Sequence, residues 1–193
     1  QLRVVNDLLD LSRSEIDELD LYPELLDPRP VLQEVFHSMQ TASSHTEVSC
    51  RLQLPDRLPT IQADIVRLRQ ILLNLLSNAI KFTDQGGITF RVQKIVRQGN
   101  DWEALPYINI PEQLPAGSYM LVSVTDTGIG ISKEYLEDLF EPFRQEDQGN
   151  TRKYQGNGLA LALVKKYCDL NNADVNVESK KGKGSKFIVT FNR

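Results

Sequence analysis

An amphipathic helix with a polar stripe is the feature that most constrains this chain. Between Asp64 and Thr83, apolar residues recur at helical spacing, and Asp64 occupies the position of an N-cap. The opposite face carries a row of polar side chains three or four residues apart, which places them on one stripe: Arg67, Gln70, Asn74, Asn78 and Lys81.

Asparagine is unfavourable inside a helix, because its amide competes for backbone hydrogen-bonding groups. Two interpretations of Asn74 and Asn78 follow. The stripe is either a solvated polar face, or a row of amide oxygens and an ammonium group directed at a metal–phosphate ligand. Amide oxygen suits Mg²⁺, and an ammonium group suits phosphate. The helix alone does not decide between them.

Composition narrows the class of protein. A chain of 193 residues can bury one substantial core with room for one appendage, and its net charge of -4 argues against nucleic acid as a partner. No apolar run reaches membrane-spanning length, so we expect no direct membrane contact from this piece. Cys50 and Cys168 are far apart and are expected to be buried, reduced thiols, which indicates a cytoplasmic compartment. The chain begins inside a helical pattern, so we expect a fragment whose parent can be tethered to a membrane.

The remaining pattern predicts a mixture of helices and strands. A seam of apolar residues up to Leu19 is typical of a coiled coil or helical hairpin, and an edge strand interrupted by Pro23 is expected next. Residues 97 to 118 break the pattern and form a long connection. The predicted helices cover residues 30–43, 64–83, 159–170 and a segment from Ser132, and the predicted strands cover 48–54, 88–96, 119–126 and a hairpin around 181–184.

Three further motifs follow the striped helix. Asp126 ends the apolar face of a predicted strand and opens the turn D-T-G-I-G-I. A carboxylate in that position must find hydrogen-bond donors, since its burial is otherwise costly. The segments L-F-E-P-F-R-Q and G-N-G-L-A-L-A come next, the second at the start of a predicted helix. Each motif alone is weak, but their order and spacing together are specific.

In this order the four elements resemble the boxes of the ATP-binding domain of sensor histidine kinases, within the superfamily of gyrase, heat-shock chaperone and mismatch-repair ATPases. The segment N-L-L-S-N-A-I-K-F-T is similar to the kinase branch, and L-L-D-L-S-R-S-E-I resembles the end of the kinase dimerisation hairpin. The resemblance implies an α+β, two-layer sandwich of the Bergerat type, with helices on one face of a mixed, mostly antiparallel sheet. It assigns residues 1–18 to the hairpin and 19–193 to the ATP-binding domain, with an insertion at 97–118 and an ATP lid at 140–158.

The resemblance also implies how the base is held. Asp126 accepts a hydrogen bond from the adenine amino group, whereas guanine presents a carbonyl there, so ATP is favoured over GTP. Gly128 and Gly130 let the backbone approach the base and adopt positive φ. Phe82 flanks the base, and Ile131 and Leu159 belong to the same binding set.

For the phosphates, the resemblance makes Asn78 the Mg²⁺ ligand and Lys81 a phosphate contact. Asn74 stands where hydrolysing members of the superfamily carry a glutamate base; an amide cannot take a proton, so the phosphoryl group is reserved for transfer. Phe140 and Phe143 hinge the lid. The lid and the helix after it supply the remaining candidate phosphate contacts: Arg144, Arg152, Lys153, Gly156, Asn157 and Gly158.

Two departures from the family pattern leave alternatives open. Asn157 replaces a small hydroxyl residue and Ala160 replaces a glycine, so a degenerate nucleotide-binding or non-catalytic signalling module is an alternative to a kinase. A chaperone- or gyrase-type ATPase is opposed by Asn74. His37 and His45 do not fit the phosphoacceptor, which is expected upstream of Gln1. The implied partners are a second copy of the parent chain, joined through the hairpin, and a response-regulator receiver domain.

Overall fold

A mixed β-sheet forms one layer of the protein. The computed structural model describes residues 21–44, 46–98, 101–103, 116–146 and 158–192. Its strands are β1 (Glu24–Leu26), β2 (Glu47–Gln53), β3 (Ile61–Ala63), β4 (Gln85–Gln98), β5 (Asp101–Glu103), β6 (Gly117–Asp126), β7 (Asp174–Lys180) and β8 (Gly184–Asn192). Its helices are α1 (Arg29–Ser43), α2 (Ile65–Phe82), α3 (Lys133–Leu136) and α4 (Ala160–Leu170).

The main sheet has the strand order β2-β4-β6-β8-β7, with the short β5 paired to the end of β4. Only the β2–β4 pair is parallel among these described strands. Alternate residues of β6 face the helices, from Met120 through Val122 and Val124 to Asp126, and all four are buried. This arrangement confirms the expected sandwich with a mostly antiparallel sheet.

Helix α2 lies at the centre of the helical layer, and its predicted N-cap is confirmed. The Asp64 carboxylate accepts hydrogen bonds from the backbone N–H groups of Val66 and Arg67, at 2.9 and 3.1 Å. Such a cap contributes about 0.5–2 kcal/mol. The apolar face of the helix is buried as the period predicted, at Leu68, Ile71, Leu72, Leu75, Leu76 and Ala79.

Asp64 also connects three parts of the chain. Its second carboxylate oxygen accepts from the N–H of Tyr22 at 3.0 Å, and its own N–H donates to the Asn171 side chain at 2.8 Å. The Asn171 amide in turn donates to the carbonyl of Tyr167, one turn back in α4. The incoming chain, the start of α2 and the end of α4 are therefore held at one buried aspartate, which is 5% exposed.

The structure corrects the predicted strands in two places. The edge strand lies after Pro23 rather than across it, and β1 pairs with β3, a strand of three residues that the sequence pattern did not reveal. The predicted connection 97–118 is shortened from both sides, because β4 continues to Gln98, β5 turns back along it, and β6 begins at Gly117.

Several expectations fall outside the described residues: the N-terminal helix, most of the insertion and most of the lid, including Arg152, Lys153, Gly156 and Asn157. In the part of the chain that is described, no helix has both the length and the apolar character needed to cross a bilayer. Cys168 is buried and Cys50 is half-buried, so the expectation of burial is confirmed only for Cys168.

Candidate nucleotide-binding site

Asp126 is the last residue of β6, and its side chain lies on the helix-facing side of the sheet. Hydrogen bonds hold one of its two carboxylate oxygens. Its Oδ1 accepts hydrogen bonds from the N–H groups of Gly128, at 2.8 Å, and Ser185, at 3.3 Å. Its Oδ2 accepts none from the described residues, although the side chain is only 6% exposed. The carboxylate is therefore fixed in direction, and its second oxygen has free acceptor capacity.

Burial changes the acid strength of this group. Desolvation raises the pKa of Asp126 above its ordinary value, and the hydrogen bonds from Gly128 and Ser185 oppose this shift without cancelling it. A hydrogen-bond donor that approached Oδ2 would stabilise the charged form in a site that is poorly solvated.

The loop after Asp126 packs against the last residue of α2. The N–H of Ile129 donates to the Phe82 carbonyl at 3.1 Å, and a Cβ on Gly128 would lie 2.2 Å from that same oxygen. Gly130 has the expected positive φ of 63°, and a Cβ there would lie 2.1 Å from the Lys180 carbonyl. Gly128 does not adopt positive φ. The structure thus corrects the expectation of positive φ at Gly128, where the absence of a Cβ allows close contact with the end of α2.

The polar stripe of α2 divides into two parts. Its first part contacts α4: the Arg67 guanidinium lies 5.1 Å from the centre of the Tyr167 ring and donates to Gln70. Asn74 is 7% exposed, and its amide donates to the carbonyl of Ala160 at 3.4 Å. These residues are neither a solvated face nor the free row of ligand groups that the sequence suggested. They join the central helix to α4.

The second part of the stripe, Asn78 and Lys81, is half-buried and makes fewer contacts. The Asn78 amide forms no hydrogen bond with the described chain. The Lys81 ammonium forms no ion pair there and lies 4.7 Å from the centre of the Phe82 ring. Burial lowers the pKa of Lys81, because desolvation penalises its charged form. Within the described chain, an amide without a hydrogen bond and a cation without an ion pair therefore lie within one turn of each other.

The two ends of the predicted lid meet at its base. The N–H of Phe143 donates to the Gly158 carbonyl at 3.0 Å, and both residues have positive φ, 63° and 70°. A Cβ on Gly158 would lie 2.8 Å from the Arg144 carbonyl, so only glycine fits there without displacement. A left-handed phenylalanine is strained. Phe143 is also 64% exposed, whereas Phe140 packs partly against the core.

A contribution that the motifs did not predict comes from the turn between β7 and β8. The Ser185 N–H contacts Asp126, and the Ser179 hydroxyl accepts from the N–H of Ile131 at 2.9 Å. The sequence held one signal for this contact, since Gly182 and Gly184 both occur in one short turn, which is more glycine than a hairpin requires.

The comparison with family models decides the family. The model described as "Histidine kinase-, DNA gyrase B-, and HSP90-like ATPase" matches residues 63–193, which is more than half of the chain. The chain belongs to this ATPase family. The resemblance of the four motifs is thereby confirmed.

Within the family, the chain is similar to sensor histidine kinases. It is 35% identical over 193 residues to the autoinducer 2 sensor kinase/phosphatase LuxQ of Vibrio parahaemolyticus serotype O3:K6, covering 98% of this chain and 20% of LuxQ. It is 33% identical over 195 residues to the sensor histidine kinase RcsC of Escherichia coli K12, covering 97% of this chain and 18% of RcsC. The chain therefore spans about a fifth of the length of these relatives.

Solved structures share the fold. Full-length ShkA, crystallised with AMPPNP, superposes with a TM-score of 0.77 at 29% identity, covering 99% of this chain and 36% of ShkA. The Acinetobacter baumannii histidine kinase AdeS superposes with a TM-score of 0.70 at 22% identity, covering 98% of this chain and 77% of AdeS.

Of the two expected departures from the family pattern, Ala160 lies within the described residues and Asn157 does not. Ala160 is the first residue of α4 and uses ordinary helical backbone, where alanine is favoured over glycine by about 1 kcal/mol. Leu159 precedes it and is fully buried. Arg144 is exposed, 3.9 Å from Asp138. Asn157 lies outside the described residues, as do Lys153 and Gly156.

Proposed function

We propose that this chain binds Mg-ATP and donates the γ-phosphate to a histidine in the upstream dimerisation segment of its parent protein. The observation that carries the proposal is the Asp126 carboxylate, with Oδ1 fixed by two backbone N–H groups and Oδ2 free to accept. The adenine amino group is the donor that fits Oδ2. Guanine would present an oxygen to this oxygen and would be rejected.

The phosphate end of the nucleotide is assigned to α2 and the start of α4. Asn74 contacts Ala160, so the N-terminus of α4 lies beside α2 two turns before Phe82, about 12 Å along the helix axis. An extended nucleotide can span this separation. The α4 N-cap residue, Leu159, supplies no side-chain cap, and the backbone N–H groups of a helix's first turn favour an anion.

The residues present fit Mg²⁺ as a nucleotide-borne ion. Among the described residues no group of three or more acidic, histidine or cysteine side chains could hold a metal, and the Asn78 amide oxygen is an unpaired hard ligand. The ion would neutralise phosphate charge during transfer. The Asn78 amide oxygen and the phosphates would both be ligands of the ion. The Lys81 ammonium would gain a charged partner on binding phosphate.

Transfer rather than hydrolysis is proposed for two reasons. Asn74 cannot accept a proton from water, and its amide hydrogen-bonds to α4. The relatives LuxQ and RcsC are named sensor kinases, and a kinase transfers phosphate. ShkA supports nucleotide binding, since it shares this fold at 29% identity and was crystallised with the ATP analogue AMPPNP. The parent is proposed to act as a homodimer, with a receiver domain taking the phosphate. The degenerate module remains the second candidate on the strength of Asn157 alone, since Ala160 has ordinary helical backbone.

Calorimetric titration of the 193-residue chain with ATP, with and without Mg²⁺, tests nucleotide binding. We expect magnesium-dependent binding that excludes GTP. Joining the chain to its upstream helix and assaying acid-labile phosphate on histidine tests transfer. Nucleotide binding without any label would favour the degenerate module over the kinase.

A further inference from the structure

The turn between β7 and β8 touches the loop after Asp126 at several separate points. Gly182 donates its N–H to the Ile129 carbonyl at 2.7 Å. Gly184 lies so close that a Cβ there would be 2.0 Å from the Asp126 carbonyl oxygen. Together with the Ser185 contact to the Asp126 carboxylate, these contacts line the loop from its first residue to its middle.

Ser179 holds the far end of the loop. Its hydroxyl donates to the Gly184 carbonyl, lies 2.9 Å from the Ser185 hydroxyl, and accepts from the Ile131 N–H. A serine hydroxyl has one proton and two lone pairs, so Ser185 must be the donor in the Ser179–Ser185 contact. Every hydrogen-bonding position of Ser179 is then used. One side chain links both sides of the turn to Ile131.

A second connection continues one residue further along. The Lys181 ammonium lies 2.8 Å from Glu146, whose other oxygen accepts from the N–H of Ser132 at 3.3 Å. The Glu146 side chain is 17% exposed, so this ion pair is better shielded than a typical surface pair. Burial alone would raise the pKa of Glu146, but the hydrogen bonds from Lys181 and Ser132 lower it below its ordinary value.

We propose that the β7–β8 hairpin positions the loop after Asp126. Ser179 holds Ile131 directly, and Lys181 holds Ser132 through Glu146. The inference rests on the proposed adenine site. Neither side chain touches the base; both act by keeping Asp126 and the glycine loop in one geometry. They are positioning residues, and they make the turn a determinant of purine selectivity.

The test compares variants of the complete 193-residue chain by calorimetric titration with Mg-ATP, and with GTP by competition. Ser179→Ala should weaken ATP binding about tenfold and reduce the ATP-to-GTP affinity ratio, because the loop loses a half-buried hydrogen-bonding hydroxyl. Ser179→Thr keeps the hydroxyl and should restore both values. Lys181→Ala should weaken ATP binding about two- to fivefold at low salt, and the loss should shrink as salt is added.

Lys183→Ala is the matched control, since Lys183 is an exposed lysine of the same turn without a side-chain partner in the described chain. It removes the same charge and should leave ATP affinity unchanged. Glu146→Gln combined with Lys181→Ala should cost little more than either change alone. Melting temperatures without nucleotide separate positioning from unfolding, and the surface variants keep the test decisive even if Ser179→Ala fails to fold.

The outcomes separate the two proposals. If the unaltered chain binds ATP and the Ser179 and Lys181 variants bind it equally well with the same selectivity, the positioning role is wrong and the adenine site stands. If Lys183→Ala weakens ATP binding as much as Lys181→Ala, the loss of one positive charge from the turn explains the effect, and the ion-pair role is wrong. If the unaltered chain does not bind ATP, the proposed function fails, and the inference fails with it.

Discussion

Replacing Asp126 by asparagine keeps the shape of the side chain and changes one of its two hydrogen-bond acceptors into a donor. The asparagine oxygen must face the Gly128 and Ser185 N–H groups, since an amide nitrogen there would oppose two donors at 2.8 and 3.3 Å. The NH₂ group then occupies the Oδ2 position and would face the adenine amino group of the proposed complex. One charged hydrogen bond is lost, at a cost of about 1.5–3 kcal/mol, which weakens ATP binding about 10- to 150-fold.

The same change should bring GTP closer to ATP, because the new NH₂ group can donate to the guanine carbonyl. The ATP-to-GTP affinity ratio should therefore fall by more than ATP affinity alone. Calorimetric titration of both nucleotides measures this, and Asp174→Asn, on an exposed aspartate at the other end of the sheet, is the control. An ATP affinity unchanged by Asp126→Asn would remove the adenine assignment.

The pKa of Asp126 adds a second observable. The pKa of Asp126 is raised in the folded state, so protonation of this carboxyl favours the fold. That stabilisation is fully present when the pH is below the ordinary pKa of aspartate, and it is lost as the pH rises through the folded-state pKa. At pH 7 the charged carboxylate is thus a cost to the nucleotide-free fold, and Asp126→Asn should raise the melting temperature there but not in acid. ATP binding by the unaltered chain should weaken on acidification through this raised pKa, and the variant should lose that step.

The remaining predictions concern other residues. Asn78→Ala should reduce the gain in ATP affinity that Mg²⁺ produces, and an equal magnesium response in both proteins would contradict the ligand role. Gly130→Ala should destabilise the fold by more than the roughly 1–3 kcal/mol of left-handed strain, because its Cβ would also meet a carbonyl at 2.1 Å. Gly182→Ala, with φ of 76° and nothing within 4 Å, should show the strain alone in denaturant unfolding. Iodoacetamide should modify Cys50 before Cys168, which is buried and whose pKa is raised by desolvation; rapid native alkylation of Cys168 would refute its burial.

The parts of the fold that could be predicted are those coded by local period. The apolar repeat and N-cap of α2 fixed its bounds to within a residue, and parity along β6 placed Asp126 on the helix-facing side. β3 could not be predicted, because three residues between a proline and a helix cap carry no period. Its pairing with β1 depends on a contact between distant parts of the chain.

For the candidate site, the sequence shows which residues lie on one face of an element. It does not show which groups those residues contact. Helical spacing shows that Asn74 and Asn78 share a stripe. It does not show that α4 covers Asn74, or that the Asn78 amide has no hydrogen bond within the described chain. The contact between Ser185 and Asp126 joins residues 59 positions apart. Such a contact is set by strand order, and the sequence pattern does not fix strand order.

The shared hydrogen bonds of Asp64 determine how a pull on the chain ahead of Tyr22 would travel. Displacing Tyr22 must either break its hydrogen bond to the carboxylate or carry the first turn of α2 with it. Because the Asp64 N–H is held by Asn171, the load reaches α4 by the same route. The two helices that carry the candidate phosphate-binding groups thus share one mechanical anchor, beside Tyr22.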